Sequence, residues 1–137
     1  MTPEYHDYIL DRVNEHCPFN LANGIRGVSL EEGHAVVEAE IRPDHKNIWD
    51  TVHGGILFAA ADVAAGLAVH SLHEGRHIVT AGSSINFLRT NPAAKLIRAE
   101  AEVIKKGRSL NIVQADIRDD QGNHLVTAQY TMFASDK

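Results

Sequence analysis

The sequence has little of what several specialised protein classes require. Its 137 residues include a single cysteine, Cys17, so no disulfide can form within the chain, which suits a reducing, cytoplasmic environment. The formal net charge of −5 gives no attraction for nucleic acid or an anionic membrane, so we expect neither as a partner. The longest nearly apolar run, 54–69, is short for a membrane span, and the acidic N-terminus lacks a signal-peptide pattern.

The length and composition are those of one globular domain. Hydrophobic residues make up 44% of the chain and charged residues 23%, and no repeat, linker or low-complexity tract interrupts it. A chain of this size can bury a real core. We therefore expect a single domain over residues 1–137.

Apolar periodicity predicts an α+β protein with one long central helix. The order is a helix, two strands, the long helix, and three or four further strands, and runs of adjacent strands indicate an antiparallel sheet. One apolar helix beside one sheet suggests that the sheet wraps around it. The predicted helices cover 2–17 and 54–73, and the predicted strands cover 25–30, 34–41, 78–88, 96–105, 109–118 and 124–134.

The central helix contains one carboxylate, Asp62, in an otherwise apolar and Ala-rich segment. Burying an unpaired carboxylate costs several kcal/mol unless it is hydrogen-bonded or protonated, and such a cost often marks a functional site. The helix begins at Gly54 and Gly55, where backbone N–H groups are expected to be free and the helix dipole favours negative charge. This segment therefore predicts a base or nucleophile together with an oxyanion site.

The chain resembles the hotdog fold, and more narrowly the PaaI-like acyl-CoA thioesterases. The resemblance covers roughly residues 47–133 and rests on His53-Gly54-Gly55, on Asp62 in the following helix, and on Gly107-Arg108-Ser109 between two late strands. It implies hydrolysis of an acyl-CoA to a free acid and coenzyme A, for which no cofactor is required. No metal is expected either, because no carboxylate or cysteine completes a zinc pattern with His70, His73 and His77. Enzymes of this family are dimers and often tetramers, so a homodimer, and a dimer of dimers, is expected.

The resemblance also implies roles for the residues around the helix start. The Gly55 N–H would hold the oxyanion, and His53 would orient and polarise the substrate. Asp62 would act as general base on water or as nucleophile through an acyl anhydride. Asn47 fills the place of a loop asparagine that often accompanies the histidine, although Asp50 stands in a region where many relatives carry a glycine.

Further substrate-binding residues are expected on both sides of the helix. Relatives place a Ser or Thr on the strand after the helix, where three hydroxyls leave the choice open. Basic side chains suit the phosphates of coenzyme A, and glycine permits close approach of the substrate. The candidates are Gly54, Thr80, Ser83, Ser84, Arg89, Lys106, Gly107 and Arg108.

Helix geometry places the two halves of this site on different chains. Gly55 and Asp62 share one helix face but lie about 10 Å apart along the axis, at roughly 1.5 Å per residue, so one carbonyl cannot easily reach both. Two antiparallel helices related by a two-fold axis would bring Gly55 of one chain to Asp62 of the other, twice. The small residues Ala60, Ala61, Ala64, Ala65 and Gly66 would allow close approach of the two helices.

Three other interpretations remain open from the sequence. A hotdog dehydratase or hydratase would act on the same thioesters, although the longer His motif with proline is absent. A non-catalytic module would bind acyl-CoA without turnover. In the third interpretation, Asp62 is a buried structural carboxylate and His53 is a loop histidine that satisfies backbone groups.

Overall fold

The computed structural model describes residues 1–136 as one six-stranded sheet around one long helix, which confirms the predicted α+β class. No helix in this described range is both long and apolar enough to cross a bilayer. In chain order the elements are α1 (Pro3–Glu15), α2 (Pro18–Asn23), β1 (Ile25–Glu31), β2 (His34–Glu40), α3 (Gly54–His70), β3 (His77–Phe87), β4 (Leu96–Lys105), β5 (Leu110–Asp119) and β6 (His124–Ser135).

The sheet has the strand order β1-β2-β4-β5-β6-β3, and every neighbouring pair is antiparallel. Helix α3 contacts all six strands, so the sheet curves around it as the hotdog architecture requires. Alternate residues of β4 and β5 point inward, and those on the inner face are buried. The core is therefore the layer between α3 and the concave face of the sheet.

The small residues of α3 pack against the protein's own sheet, so our expectation that they allow close approach of a second helix was wrong for four of the five. Ala60, Ala61, Ala64 and Ala65 are completely buried within the chain. A helix that is apolar on every side gives no periodicity from which its orientation can be read. Apart from Gly54 at its first position, the residues of α3 left accessible lie on one stripe: Gly55, Phe58, Asp62, Val63, Gly66 and His70.

Local capping explains where the helices begin and end. The Thr2 hydroxyl accepts from the Tyr5 N–H at 3.1 Å and starts α1, as predicted. Only a turn was predicted at Asn23-Gly24, but it terminates the short helix α2, with Gly24 at φ 65°. Helix α3 ends at His70, three residues earlier than expected, because the Ser71 hydroxyl donates to the Ala68 carbonyl at 2.6 Å.

Strand β3 lies at one edge of the sheet and is accessible on both faces. Nine of its eleven residues are exposed, and Val79 and Phe87 keep 55% and 51% of their surfaces accessible. Soluble proteins seldom leave a long edge strand with apolar side chains open to solvent. This strand therefore has the character of a protein interface.

The turn between β4 and β5 is held by buried polar contacts. The Gly107 N–H donates to Asn111 Oδ1 at 3.2 Å, and the same oxygen lies 3.0 Å from Nε2 of His73. A Cβ added at Gly107 would stand 2.1 Å from the Leu110 carbonyl oxygen. Glycine is thus required here by the backbone, which accounts for this residue without any substrate.

We predict that Gly107→Ala destabilises the protein, because the turn must shift to admit the methyl group. The free energy of unfolding should fall by about 1–3 kcal/mol, the usual cost of a strained backbone position. The matched control is Ser109→Ala in the same turn, whose side chain makes no hydrogen bond within residues 1–136, and it should stay within about 0.5 kcal/mol. Equal stability of Gly107→Ala and wild type in chemical denaturation would contradict this assignment.

Candidate active site

Asp62 lies at mid-length of α3 on its accessible stripe, facing β3. The Thr80 hydroxyl donates to Oδ1 of Asp62 at 2.5 Å. Burial raises the pKa of Asp62, and the hydrogen bond from Thr80 acts in the opposite direction because it favours the ionised form. The only polar partner of this carboxylate in the described chain is therefore a neutral hydroxyl, and its basicity is increased.

The structure selects one of the three hydroxyls that the sequence left open. Thr80 bonds Asp62, whereas Ser83 and Ser84 pair with β6 and make no hydrogen bond to it in the described residues. The register of β3 shifts between Thr80 and Gly82, which is a β-bulge. A bulge changes which residues face inward, so alternation along the sequence alone could not identify Thr80.

Tyr130 holds the helical turn that carries Asp62, and the sequence analysis missed it. It is completely buried, and its hydroxyl donates to the Phe58 carbonyl at 2.9 Å. Residue 58 stands four before Asp62, so this bond fixes the backbone just below the carboxylate. Burial, with the nearby Asp62, raises the pKa of Tyr130. A tyrosine on the apolar face of β6 needs such a partner, which was the available signal.

The first turn of α3 is capped by His53. The Gly55 N–H donates to Nδ1 of His53 at 2.7 Å, so the amide that we expected to be free is paired within the chain. Both residues are exposed, and the ring stands at the end of a rotatable side chain. An incoming oxygen can therefore reach this amide only by replacing Nδ1 as its acceptor.

Asn47 organises the loop before α3. Its Oδ1 accepts from the N–H groups of Trp49 and Thr51 at 2.9 and 3.1 Å, and its Nδ2 donates to the Thr51 hydroxyl at 2.9 Å. Asp50 adopts a left-handed backbone with φ 60°, a conformation that favours glycine. The structure thus gives Asn47 a loop-forming role and explains why a glycine would suit position 50.

Two cavities border the two ends of this constellation. One of ≈250 Å³ lies at the start of α3, beside Asn47, Gly54 and Arg89. A second of ≈330 Å³ borders Asp62 and Thr80. Gly54, the neighbour of Gly55, lines the first cavity and Asp62 lines the second, so the start of α3 and the carboxylate border different cavities.

The basic residues predicted to bind coenzyme A lie at two opposite ends of the fold. Arg89 lies in the cavity at the N-terminal end of α3, beside Gly54. Lys106 and Arg108 follow β4 at the opposite end of the sheet, where Arg76 donates to the Arg108 carbonyl at 2.6 Å. One chain therefore does not bring Arg89 together with Lys106 and Arg108.

The fold and this arrangement are those of a hydrolytic enzyme of the hotdog class, and comparison with known proteins identifies the family. Residues 50–126, more than half of the chain, match the model of the Thioesterase superfamily. Acyl-coenzyme A thioesterase PaaI of Escherichia coli (strain K12) is 33% identical over 100 residues, which cover 73% of this chain and 70% of that protein. The chain belongs to the Thioesterase superfamily and is a thioester hydrolase.

Solved structures agree with this assignment. The E. coli PaaI protein superimposes with a TM-score of 0.88 at 26% identity, covering 96% of this chain and 94% of that one. A Streptococcus mutans protein, described as bound to acetyl CoA, has a TM-score of 0.74 at 28% identity over 81% of this chain and 88% of that one. The hotdog fold and the PaaI-like resemblance are thereby confirmed.

We predict that Thr80→Val moves the acid limb of the pH–rate profile to higher pH. The hydrogen bond from Thr80 lowers the pKa of Asp62, so its loss leaves burial unopposed and the pKa rises further. A reaction that needs the carboxylate then loses rate at a higher pH than in wild type. The measurement is kcat/KM against pH, with Ser84→Ala as the matched control; an unmoved limb in Thr80→Val would refute the coupling.

Proposed function

We propose that the protein hydrolyses acyl-CoA thioesters with Asp62 as general base or nucleophile and the Gly55 N–H as oxyanion donor. The observation that carries this proposal is the half-buried carboxylate of Asp62, which opens to a cavity and is hydrogen-bonded, within residues 1–136, only to Thr80. Its raised pKa makes it a stronger base than an exposed aspartate. The relative described as bound to acetyl CoA supports coenzyme A as the thiol half of the substrate.

Two chemical routes are compatible with this carboxylate. As a base, Asp62 takes a proton from water while the oxygen of that water attacks the thioester carbon. As a nucleophile, Asp62 attacks the carbon itself and forms an acyl anhydride, which water then cleaves. In both routes the carbon–sulfur bond breaks, the thiolate leaves and gains a proton, and the free acid remains. Neither route requires a cofactor.

Before the Gly55 N–H can act as oxyanion donor, it must exchange its hydrogen bond to His53 for one to the substrate. In the absence of substrate the Gly55 N–H is paired with Nδ1 of His53. When the carbonyl oxygen gains negative charge it becomes the stronger acceptor, and the helix dipole favours it over a neutral imidazole. The released ring then lies next to the reacting carbonyl, which is the orienting and polarising role expected for His53.

The complete site is formed by two chains. Gly55 and Asp62 are separated by about 10 Å of helix, at 1.5 Å per residue, so the two groups of one chain cannot serve the same carbonyl. A two-fold partner supplies the missing half to each site. The exposed edge strand β3 supports this homodimer, and a dimer of dimers would use other surfaces. The same pairing would bring Lys106 and Arg108 of one chain toward Arg89 of the other, for the phosphates of coenzyme A.

We predict that Asp62→Asn abolishes most hydrolysis without loss of stability. Removal of an acid–base group costs about 10²-fold or more in rate. Because the folded-state pKa of Asp62 is raised, the fold loses stability as pH rises from the unfolded-state pKa to the folded-state pKa and does not regain it above, so the neutral amide should raise Tm at pH 7–8. Free-thiol release from an acyl-CoA panel and thermal unfolding measure the two effects.

The matched control is Asp44→Asn, an exposed carboxylate in the loop before α3, which should leave the rate unchanged. Comparable rates of Asp62→Asn and wild type on every acyl-CoA would refute the mechanism. Hydration of an enoyl-CoA without thiol release would favour the dehydratase or hydratase alternative. Binding without any turnover in the wild type would favour the non-catalytic module.

We predict that two inactive variants restore activity when they are combined. Asp62→Asn removes the base, and Gly55→Pro removes the N–H donor in the first helical turn, where this amide has no intrahelical partner and the added Cβ meets only the end of the rotatable His53 side chain. After the two proteins are unfolded and refolded together, half of the dimers are mixed, and each has one intact site. Activity should therefore recover to about a quarter of the wild-type value if the two-fold arrangement holds. A mixture as inactive as its parts would place both groups in sites within one chain.

A further inference from the structure

The loop between β3 and β4 borders the cavity at the start of α3. Arg89, Thr90 and Asn91 of this loop line the cavity together with Gly54. Arg89 and Thr90 are both exposed, and neither makes a hydrogen bond within residues 1–136. The position of Arg89 is therefore set by the contacts that hold the loop on each side of it.

Two hydrogen bonds hold the loop on either side of Arg89. Before it, the Leu88 N–H donates to the Leu125 carbonyl at 2.8 Å, which continues the pairing of β3 with β6. After it, Nδ2 of Asn91 donates to Oδ2 of Asp119, at the end of β5, at 2.6 Å. Without the second bond, Arg89 would lie on a segment that is firmly held at one end only.

Asn91 uses both ends of its amide in this contact. Its Oδ1 accepts from the Ala93 N–H at 3.1 Å, and its backbone carbonyl accepts from the Ala94 N–H at 3.0 Å, which closes a turn that begins with Asn91 and Pro92. The bond to Oδ1 fixes the orientation of the amide, so that Nδ2 points to Asp119. The other polar contacts of residues 91–94 with the rest of the described chain are 3.4 Å long. The bond to Asp119 is therefore the main anchor of this turn.

Asp119 is itself held rigidly by the hairpin between β5 and β6. It keeps only 6% of its surface accessible. Its Oδ1 accepts from the backbone N–H groups of Gln121 and Asn123, both at 2.9 Å, and its Oδ2 accepts from Nδ2 of Asn123 at 3.0 Å. Burial acts to raise the pKa of Asp119, but these hydrogen bonds and the one from Asn91 outweigh it and lower the pKa to about 2. The carboxylate is therefore ionised at neutral pH, which makes it a strong acceptor for Asn91.

We propose that Asp119 is a positioning residue, which acts through Asn91 to hold Arg89 in place for the phosphates of coenzyme A. The inference rests on the proposed function, in which Arg89 contacts those phosphates. A loose loop must be ordered when its ligand binds, and that ordering costs affinity, whereas a loop already fixed to the sheet avoids the cost. Asp119 does not line the cavity beside Arg89, so its effect on coenzyme A is transmitted by the loop.

The variant Asp119→Asn breaks this contact with little other change. Its Oδ1 can keep the two backbone N–H groups of the hairpin, while an amide nitrogen in place of Oδ2 cannot accept from Asn91. The measurement compares kcat/KM for one acyl group carried on coenzyme A and on N-acetylcysteamine, which lacks the nucleotide and its phosphates. We expect the ratio of the two values to fall by about tenfold, through a higher KM for the acyl-CoA. This ratio does not depend on how much of a variant is folded, and an unchanged ratio would overturn the inference.

Two further variants separate the loop from the hairpin. Asn123→Ala removes a hydrogen bond to the same oxygen of Asp119 from within the hairpin, so it should lower stability and leave the substrate ratio unchanged. Asn91→Asp combined with Asp119→Asn restores a donor and an acceptor with their roles reversed, and it should recover part of the ratio lost in Asp119→Asn. An equal loss in Asn123→Ala, or no recovery in the double variant, would overturn the role of this contact.

Trypsin reports the state of the loop without any turnover. It cleaves after Arg89 only when the loop opens, so the appearance of the fragment that starts at Thr90, followed by mass spectrometry, measures how firmly the loop is held. We expect this cleavage to be about tenfold faster in Asp119→Asn and unchanged in Asn123→Ala, since only the first frees the loop.

The same variants distinguish this inference from the proposed function. Calorimetric titration with coenzyme A alone gives its Kd without hydrolysis. If wild type hydrolyses no thioester, but Asp119→Asn is cleaved faster and binds coenzyme A about tenfold more weakly, the proposed function fails and the inference stands. If hydrolysis occurs and either the cleavage rate or the substrate ratio is the same in Asp119→Asn and wild type, the function stands and the inference fails.

Discussion

The cost of holding one carboxylate on an otherwise apolar helix is the constraint on which this structure depends. A buried carboxylate is costly without a partner, and among the described residues the polar partner of Asp62 is a single hydroxyl, from the bulged part of β3. That hydroxyl satisfies one oxygen but supplies no positive charge, so the carboxylate keeps a raised pKa. Tyr130 then fixes the helical turn below it, through the Phe58 carbonyl. The burial that makes ionised Asp62 unfavourable for the fold is the same burial that raises its pKa and makes it a stronger base.

The same helix determines how the rest of the chain is arranged. Its alanines let the sheet approach closely on most of its circumference, which leaves only one stripe of α3 open. Gly55, Asp62, Gly66 and His70 all fall on that stripe, because their spacing follows the helical repeat. The Gly55 amide, the Asp62 carboxylate and the cavity beside Asp62 are therefore arranged along one line. Strand β3 forms one border of that line and is itself open on both faces.

The sequence predicted the architecture well because strand alternation and helical apolar patterns are both visible in it. Strand alternation and the long apolar segment located all six strands and the central helix. Three details depended on contacts that no periodicity records. The bulge after Thr80 decided which hydroxyl meets Asp62, and the Ser71 hydroxyl ended α3 early. The orientation of Ala60 and its neighbours was undetermined, because a helix that is apolar all round has no preferred face.

The sequence predicted which residues belong to the candidate site, but not which of them contact one another. Asp62 and Thr80 are together, whereas Arg89 and Lys106 lie at opposite ends of the fold. Whether they meet depends on a second chain, which one sequence cannot specify. Gly107 was expected to contact substrate, but the Leu110 carbonyl already requires glycine there. A motif therefore located the candidate residues, and packing showed that Gly107 is required by the backbone.

The hydrogen bond from Gly55 to His53 also affects how the product acid is released. A helix N-terminus with unpaired amides attracts small anions, and the acid set free by thioester cleavage is itself an anion. In the proposed mechanism, His53 takes the amide back once the acyl oxygen departs, and ionised Asp62 repels a product of the same charge. Accumulated carboxylic acid would therefore inhibit the protein weakly, so turnover could continue in a cell rich in such acids.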